Sequence, residues 1–278
     1  MKKIIAAFDG LNFSQSTLDY AIFFAKQAKA ELVGVFLDDF MNHSYELSEI
    51  INEKGAISDH RLQELNKEEA EIRDIAAELF EDACFRGDLK YKIHRDKNVA
   101  LQELLHESIY SDLLIINKKE DFSRFHHDAP TEFLRDLLAN VHCPVMIVPD
   151  KYKKIDEIVL LYDGEPASVK AIKMLSYTLP VFDNKRIEIL TVKNEHDTLH
   201  VPDGKLMREF MKPRYPLADF VVERGNAKEE ILRYLQGRKK NAMVALGAYG
   251  RGLVSRLLKP STADLLIKEL DIPIFIAH

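Results

Sequence analysis

The sequence predicts an α/β protein of two tandem doubly wound domains, each a five-stranded parallel sheet of order 3-2-1-4-5 with helices on both faces. Three observations predict it. Strand and helix signals alternate along the whole chain. Several strand signals are near-continuous apolar runs, as parallel strands buried on both faces require. The alternation also occurs twice. Lys2-Lys3-Ile4-Ile5-Ala6-Ala7-Phe8-Asp9-Gly10 matches Asp156-Glu157-Ile158-Val159-Leu160-Leu161-Tyr162-Asp163-Gly164. Asn98 to Leu105 matches Asn226 to Leu232, and each copy ends on a proline followed by apolar residues, Pro144 to Val148 and Pro273 to Ile276. A length of 278 residues suits two domains of ordinary size. The boundary falls in the polar, basic stretch Pro149 to Lys154, which gives domains 1–150 and 151–278.

In the first copy the expected strands are Lys3–Phe8, Glu31–Leu37, Leu89–His94, Asp112–Ile116 and Val145–Val148. In the second they are Glu157–Tyr162, Arg186–Val192, Ala218–Glu223, Ala242–Leu246 and Ile274–Ile276. A helix follows each first strand, over Ser14–Ala28 and Pro166–Leu179. The second helices differ. Asp59 to Arg86 carries apolar residues at Leu62, Leu65, Ile72, Ile75, Ala76 and Leu79, which predicts a long amphipathic helix with an acidic solvent face. The second copy has only Asp203 to Met211 at this place, followed by Pro213 and Pro216, so Asn194 to Pro216 reads as a lid or as an ordinary surface loop.

Composition narrows the function. There is no run of eighteen apolar residues, hence no transmembrane helix. Ile4 to Phe8 is too short for a signal peptide and reads as a strand. Cys84 and Cys143 lack metal spacing and are expected to be reduced, which suits a cytoplasmic location. Residues 1–150 hold 17 Lys+Arg against 28 Asp+Glu, a net of -11, whereas residues 151–278 hold 22 against 17, a net of +5. The acidic excess argues against nucleic acid as a partner of the first domain.

Leu246 to Thr262, LGAYGRGLVSRLLKPST, holds the chemistry. It leaves an apolar strand, passes Gly247 and Gly250, and opens a helix at Pro260-Ser261-Thr262. Glycines allow a close backbone approach, and the N–H groups and hydroxyls of a helix start make an anion site. Arg251, Arg256 and Lys259 add positive charge. With strand order 3-2-1-4-5, Asp163 at the end of the first strand faces the same crevice. A carboxylate repels phosphate, so Asp163 takes a ribose or ring hydrogen bond or a metal, or simply caps the next helix. In the first copy, Asn117 and Glu120 stand at the positions of Gly247 and Gly250, and Pro130-Thr131 at Pro260-Ser261. Glu120 and Asp121 would place negative charge where phosphates sit, so this copy reads as structural or as holding a different ligand.

The Asp at the end of the first strand and Gly247-x2-Gly250-x9-Pro260-Ser261 resemble the universal stress protein family, whose ATP-binding members carry Gly-x2-Gly-x9-Gly-Ser/Thr. The resemblance covers nearly the whole chain, as a tandem. It implies a ligand-sensing or interaction protein of the stress response that binds ATP or AMP, with magnesium, in the second domain. Asp163 would contact the adenosine, the backbone around Val192 the adenine, and Gly247, Gly250, Ser261 and Thr262 the ribose and phosphates. It also implies that Val145–Val148 and Ile274–Ile276 pair across the chain as an intrachain pseudo-dimer, with further self-association into a homo-oligomer. Pro260 departs from the pattern. It removes one N–H donor, a loss of roughly 1.5–3 kcal/mol. The rival readings are a scaffold or small-ligand module without nucleotide, and a slow ATP hydrolase. Nothing in the sequence positions a general base for an attacking water. His126-His127 and His142-Cys143 do not make a metal site, because adjacent residues rarely point at one ion.

Overall fold

The apolar runs become strands whose two faces are both covered. β1 (Lys3–Asp9) is buried from Ile4 onward and alternates its side chains between two cores. The computed structural model describes residues 2–37, 50–51, 58–96, 99–122, 128–180, 185–196, 198–238, 241–248 and 262–277. After β1 come α1 (Gln15–Ala28), β2 (Glu31–Leu37), α2 (Asp59–Arg86), β3 (Tyr91–Asp96), α3 (Ala100–Ile109), β4 (Leu113–Asn117), α4 (Glu132–Asn140) and β5 (Val145–Val148). The second half repeats the pattern with β6 (Glu157–Leu161), α5 (Pro166–Thr178), β7 (Arg186–Lys193), α6 (Gly204–Met211), β8 (Asp219–Arg224), α7 (Ala227–Arg238), β9 (Ala242–Gly247), α8 (Thr262–Glu269) and β10 (Ile274–Ala277).

All ten strands form one sheet, in the order β3-β2-β1-β4-β5-β10-β9-β6-β7-β8. Each half therefore has the order 3-2-1-4-5. Pairing is parallel within each half and antiparallel where they meet, with Ile274 opposite Ile147 and Ile276 opposite Val145. The implied pairing of the two last strands is thus present, and it removes both inner sheet edges. One core packs α1, α2, α5 and α6 on one face through residues such as Phe24, Phe80, Leu175 and Met211. The other packs α3, α4, α7 and α8 through Leu104, Leu137, Leu235 and Leu266.

Lysines of the first half also cap helices of the second. Lys2 Nζ donates to the Thr178 and Tyr177 carbonyls at the end of α5. Lys118 Nζ, almost wholly buried, donates to Leu270 O at 3.1 Å and pairs with Asp271 Oδ1 at 2.5 Å, just past α8. A cation at a helix C-terminus meets the unsatisfied carbonyls and the negative end of the dipole.

Two elements differ from expectation. β3 starts at Tyr91 rather than Leu89, because the Leu89 N–H closes the end of α2 by donating to Cys84 O. The face of α2 is also rotated. Gly34 in β2 leaves a notch that Phe80 fills: a Cβ there would lie 2.9 Å from the Phe80 ring. Phe80 in that notch turns Ala76, Ala77 and Cys84 onto the sheet, and leaves Ile72, Ile75 and Leu79 at 44%, 56% and 43% exposure. The apolar periodicity gave the right helix and its acidic solvent face, and placed Leu65 and Ala76 correctly, but it missed that Ile72, Ile75 and Leu79 face solvent.

Candidate functional site

The sheet order reverses between β1 and β4, and again between β6 and β9, so each half has a crevice at the carboxyl ends of these strands. In the second half, Leu160 lies opposite Ala245 and Leu161 opposite Leu190. That register brings Asp163, Val192 and Gly247 to the same end of three neighbouring strands. Thr262 opens α8 and is half-buried. Gly250, Pro260 and Ser261, with Arg251, Arg256 and Lys259, lie outside the described residues.

Asp163 is exposed. Its Oδ1 accepts from Glu165 N at 2.9 Å and from Ser168 Oγ at 2.7 Å, tying the strand end to the first turn of α5. The helix-capping reading therefore accounts for one carboxylate oxygen, both bonds falling on Oδ1. Gly247 has a further reason to be glycine: a Cβ there would come within 2.3 Å of Ala167 O and 2.8 Å of Ser168 N. The space is taken by the chain's own backbone. α5 starts three positions earlier than α1 when the repeats are matched, with Pro166 at its first turn aligning with Asn12, and its opening residues occupy the place a side chain would need.

Residues 198–216 fold back over this end of the sheet. Tyr162 Oη donates to Pro202 O at 3.0 Å, and Gly164, at φ +92°, would with a Cβ meet Pro202 Cβ at 2.8 Å. Met207, Met211 and Tyr215 of the same segment are buried in the core. Thr191 Oγ1 donates to Tyr162 O and joins the first two strands of the half.

The first crevice is built differently. Phe13 stacks on Phe8 with ring centroids 5.0 Å apart, beside Phe36, where the second half has Ala167, Tyr162 and Thr191. Asn117 Nδ2 donates to Ser14 Oγ at 3.3 Å and Asn117 Oδ1 accepts from Lys119 N. Asp9 is buried, and its two oxygens accept from Leu11 N and Asn12 Nδ2. Thr131 Oγ1 donates to Glu120 O and accepts from Leu134 N as the cap of α4. A Cβ at Gly10 would lie 2.8 Å from Arg73 Cγ, so α2 covers this first turn as Pro202 covers the other.

What remains open is a cleft of about 280 Å³ lined by Asp9, Ser14, Asn117, Glu120, Asp121 and Asp150, with Lys119 held by Asp150 Oδ2 at 2.6 Å. Burial pushes the Glu120 carboxyl up to about 8, and the Asp9 carboxylate adds to the rise. Asp9 is itself raised by burial. The expectation of a fixed negative charge at Glu120 is thereby corrected. A carboxyl desolvated this far keeps its proton at neutral pH, and the charge of the cleft rests on its neighbours. Phe13 and the buried state of Glu120 were missed in the sequence. The signal for the first was available, since the matched repeats set Phe13 against Ala167.

No family model matches the chain. Its sequence is 21% identical over 294 residues to a universal stress protein of Synechocystis sp., covering 99% of both proteins. A universal stress protein from Archaeoglobus fulgidus has a similar structure, with a TM-score of 0.70 at 18% identity over 99% of this chain and 97% of that one. A functionally unknown protein from Pseudomonas aeruginosa gives 0.62 at 14% identity over 99% of this chain and 92% of that one. Among the described residues no helix is long and apolar enough to cross a membrane, and none of the His, Cys, Asp and Glu side chains group as metal ligands. Full-length sequence likeness, a repeated unit and a shared fold point the same way: over its whole length the chain is similar to universal stress proteins, with two such α/β units in tandem.

Proposed function

We propose that the second half binds an adenine nucleotide, ATP or AMP, at the carboxyl ends of β6 and β9, and that the first half serves as its structural partner. The observation that carries this reading is the contrast between the crevices. In the first, Phe13, Asn117 and Glu120 bring bulky side chains to the strand ends, and Asp9, Asp121 and Asp150 line the cleft beside them. A polyphosphate would meet like charge there. In the second, the residues matched to Phe13 and Glu120 are Ala167 and Gly250, and Asp163 stands exposed at the strand end.

The residues fit such a ligand in kind. Asp163 can accept from a ribose hydroxyl, the backbone at Val192 offers the carbonyl and N–H that read an adenine edge, and the start of α8 at Thr262, which Ser261 precedes in the sequence, supplies donors for phosphate. Pro260 leaves one donor fewer than the family pattern, so binding is expected in the micromolar-to-millimolar range rather than below it. Magnesium would be carried by the phosphates.

Equilibrium binding of labelled ATP and AMP tests the reading. Wild type is expected to bind with saturation, and Gly250→Glu to lose at least about tenfold in affinity through like-charge repulsion. Absence of binding by wild type at millimolar nucleotide would overturn it.

A further inference from the structure

Two exposed faces of opposite charge remain unexplained, and they lie at the two ends of the sheet. The first is α2. Ile72, Ile75 and Leu79 form an apolar row on its solvent side. Beside it, at helical spacing, run Glu64, Glu71, Glu78 and Asp82, all exposed. Glu64, Glu71 and Asp82 meet Arg61, Lys67 and Arg86 in solvent-exposed pairs of 3.3, 3.8 and 3.9 Å, which hold little energy and leave the face with a net acidic excess. The helix carries nine Asp and Glu against four Lys and Arg. The second face lies at the matching place in the other half, on α6 and the turn after it. Leu206 is 65% exposed and shares a helix face with Phe210. Arg214 stacks on the Phe210 ring at 4.1 Å, and Leu217, 89% exposed, edges a cleft of about 340 Å³. Residues 204–218 hold four Lys and Arg against one Glu.

Solvent-exposed apolar rows flanked by one sign of charge mark interaction surfaces. These two are complementary in both respects, but they cannot meet within one chain. β3 and β8 are nine strand spacings apart, about 40 Å at roughly 4.8 Å each.

We infer that a second copy of this chain is the partner, and that α2 of one copy docks on the α6–Leu217 face of the next. Ile72, Ile75 and Leu79 meet Leu206, Phe210 and Leu217, while the acidic row faces Lys205, Lys212 and Arg214. The contact is heterologous, so every copy keeps one acidic and one basic face to offer, and assemblies grow head to tail or close as rings. A symmetric pairing of α2 with α2 would set acidic row against acidic row.

Sedimentation velocity of the full chain across concentration and salt tests the contact. Wild type is expected to self-associate at high micromolar concentration, and to do so at least about tenfold more weakly at 0.5 M than at 0.05 M salt. Glu71→Lys with Glu78→Lys on one face, and Lys205→Glu with Lys212→Glu on the other, are each expected to run as monomers. A mixture of the two variants is expected to co-assemble, because each restores complementarity to the other. Ile75→Ser and Leu217→Ser, measured in parallel, are each expected to weaken association without altering charge. A monomeric wild type at every concentration overturns the inference, as does association that ignores the charge reversals, or a mixture that stays monomeric.

Discussion

Replacing Glu120 by Gln should remove a large part of the fall in stability from pH 5 to pH 8, and the size of the change follows from burial. In the folded chain the Glu120 carboxyl holds its proton up to about 8, against 4.5 for the unperturbed group. Between those values the folded protein keeps a proton that the unfolded chain has released. Stability contributed by this group is therefore fully present below about pH 4.5 and is lost as pH rises through about 8. At about 1.4 kcal/mol per pH unit the loss is on the order of 5 kcal/mol, an upper bound because Asp9 competes for the same proton. Gln keeps the shape and an acceptor for the Phe122 and Asp121 N–H groups, and it carries no charge at any pH. Urea unfolding followed by far-UV circular dichroism at pH 5, 6, 7 and 8 measures the effect. Glu120→Gln should match wild type within about 1 kcal/mol at pH 5 and exceed it by about 2–4 kcal/mol at pH 8. Parallel pH dependences for the two proteins would refute the reasoning.

Two further substitutions probe how the halves are built and joined. Gly247→Ala should cost about 1–3 kcal/mol in urea unfolding, because its methyl would press on the Ala167 carbonyl, whereas Gly237→Ala, with nothing within 4 Å in exposed helix, should gain up to about 1 kcal/mol. Lys118→Met keeps the buried stem but removes the charge that meets Leu270 O and Asp271; thermal unfolding should report a loss of about 1–2 kcal/mol, held down by the exposure of Asp271.

Most of the fold was legible because strands buried on both faces leave a strong mark. Ile4 to Phe8, Ala242 to Leu246 and Val145 to Val148 admit no other reading, and the Asp-Gly pairs at 9–10 and 163–164 fixed the repeat. Where sequence reasoning missed, the deciding interaction was non-local. Nothing near Phe80 announces that Gly34 will receive it, so the periodicity of α2 pointed to Ile72 and Ile75 as core. Glu120 was counted as a charge because its burial depends on Thr131 drawing the loop inward, eleven residues away. Gly247 was read as room for a ligand, whereas the opening of α5 fills that room from a different part of the chain.

The antiparallel seam between β5 and β10 has a consequence for how such a chain can change. In a dimer of identical subunits every substitution appears twice, once in each crevice. Joining the units in one polypeptide across this seam removes that constraint, and an aromatic plug such as Phe13 or a buried acid such as Glu120 can arise on one side alone. Tethering also holds the seam together at a high effective concentration, so the pairing of β5 with β10 survives dilution that would separate two free units.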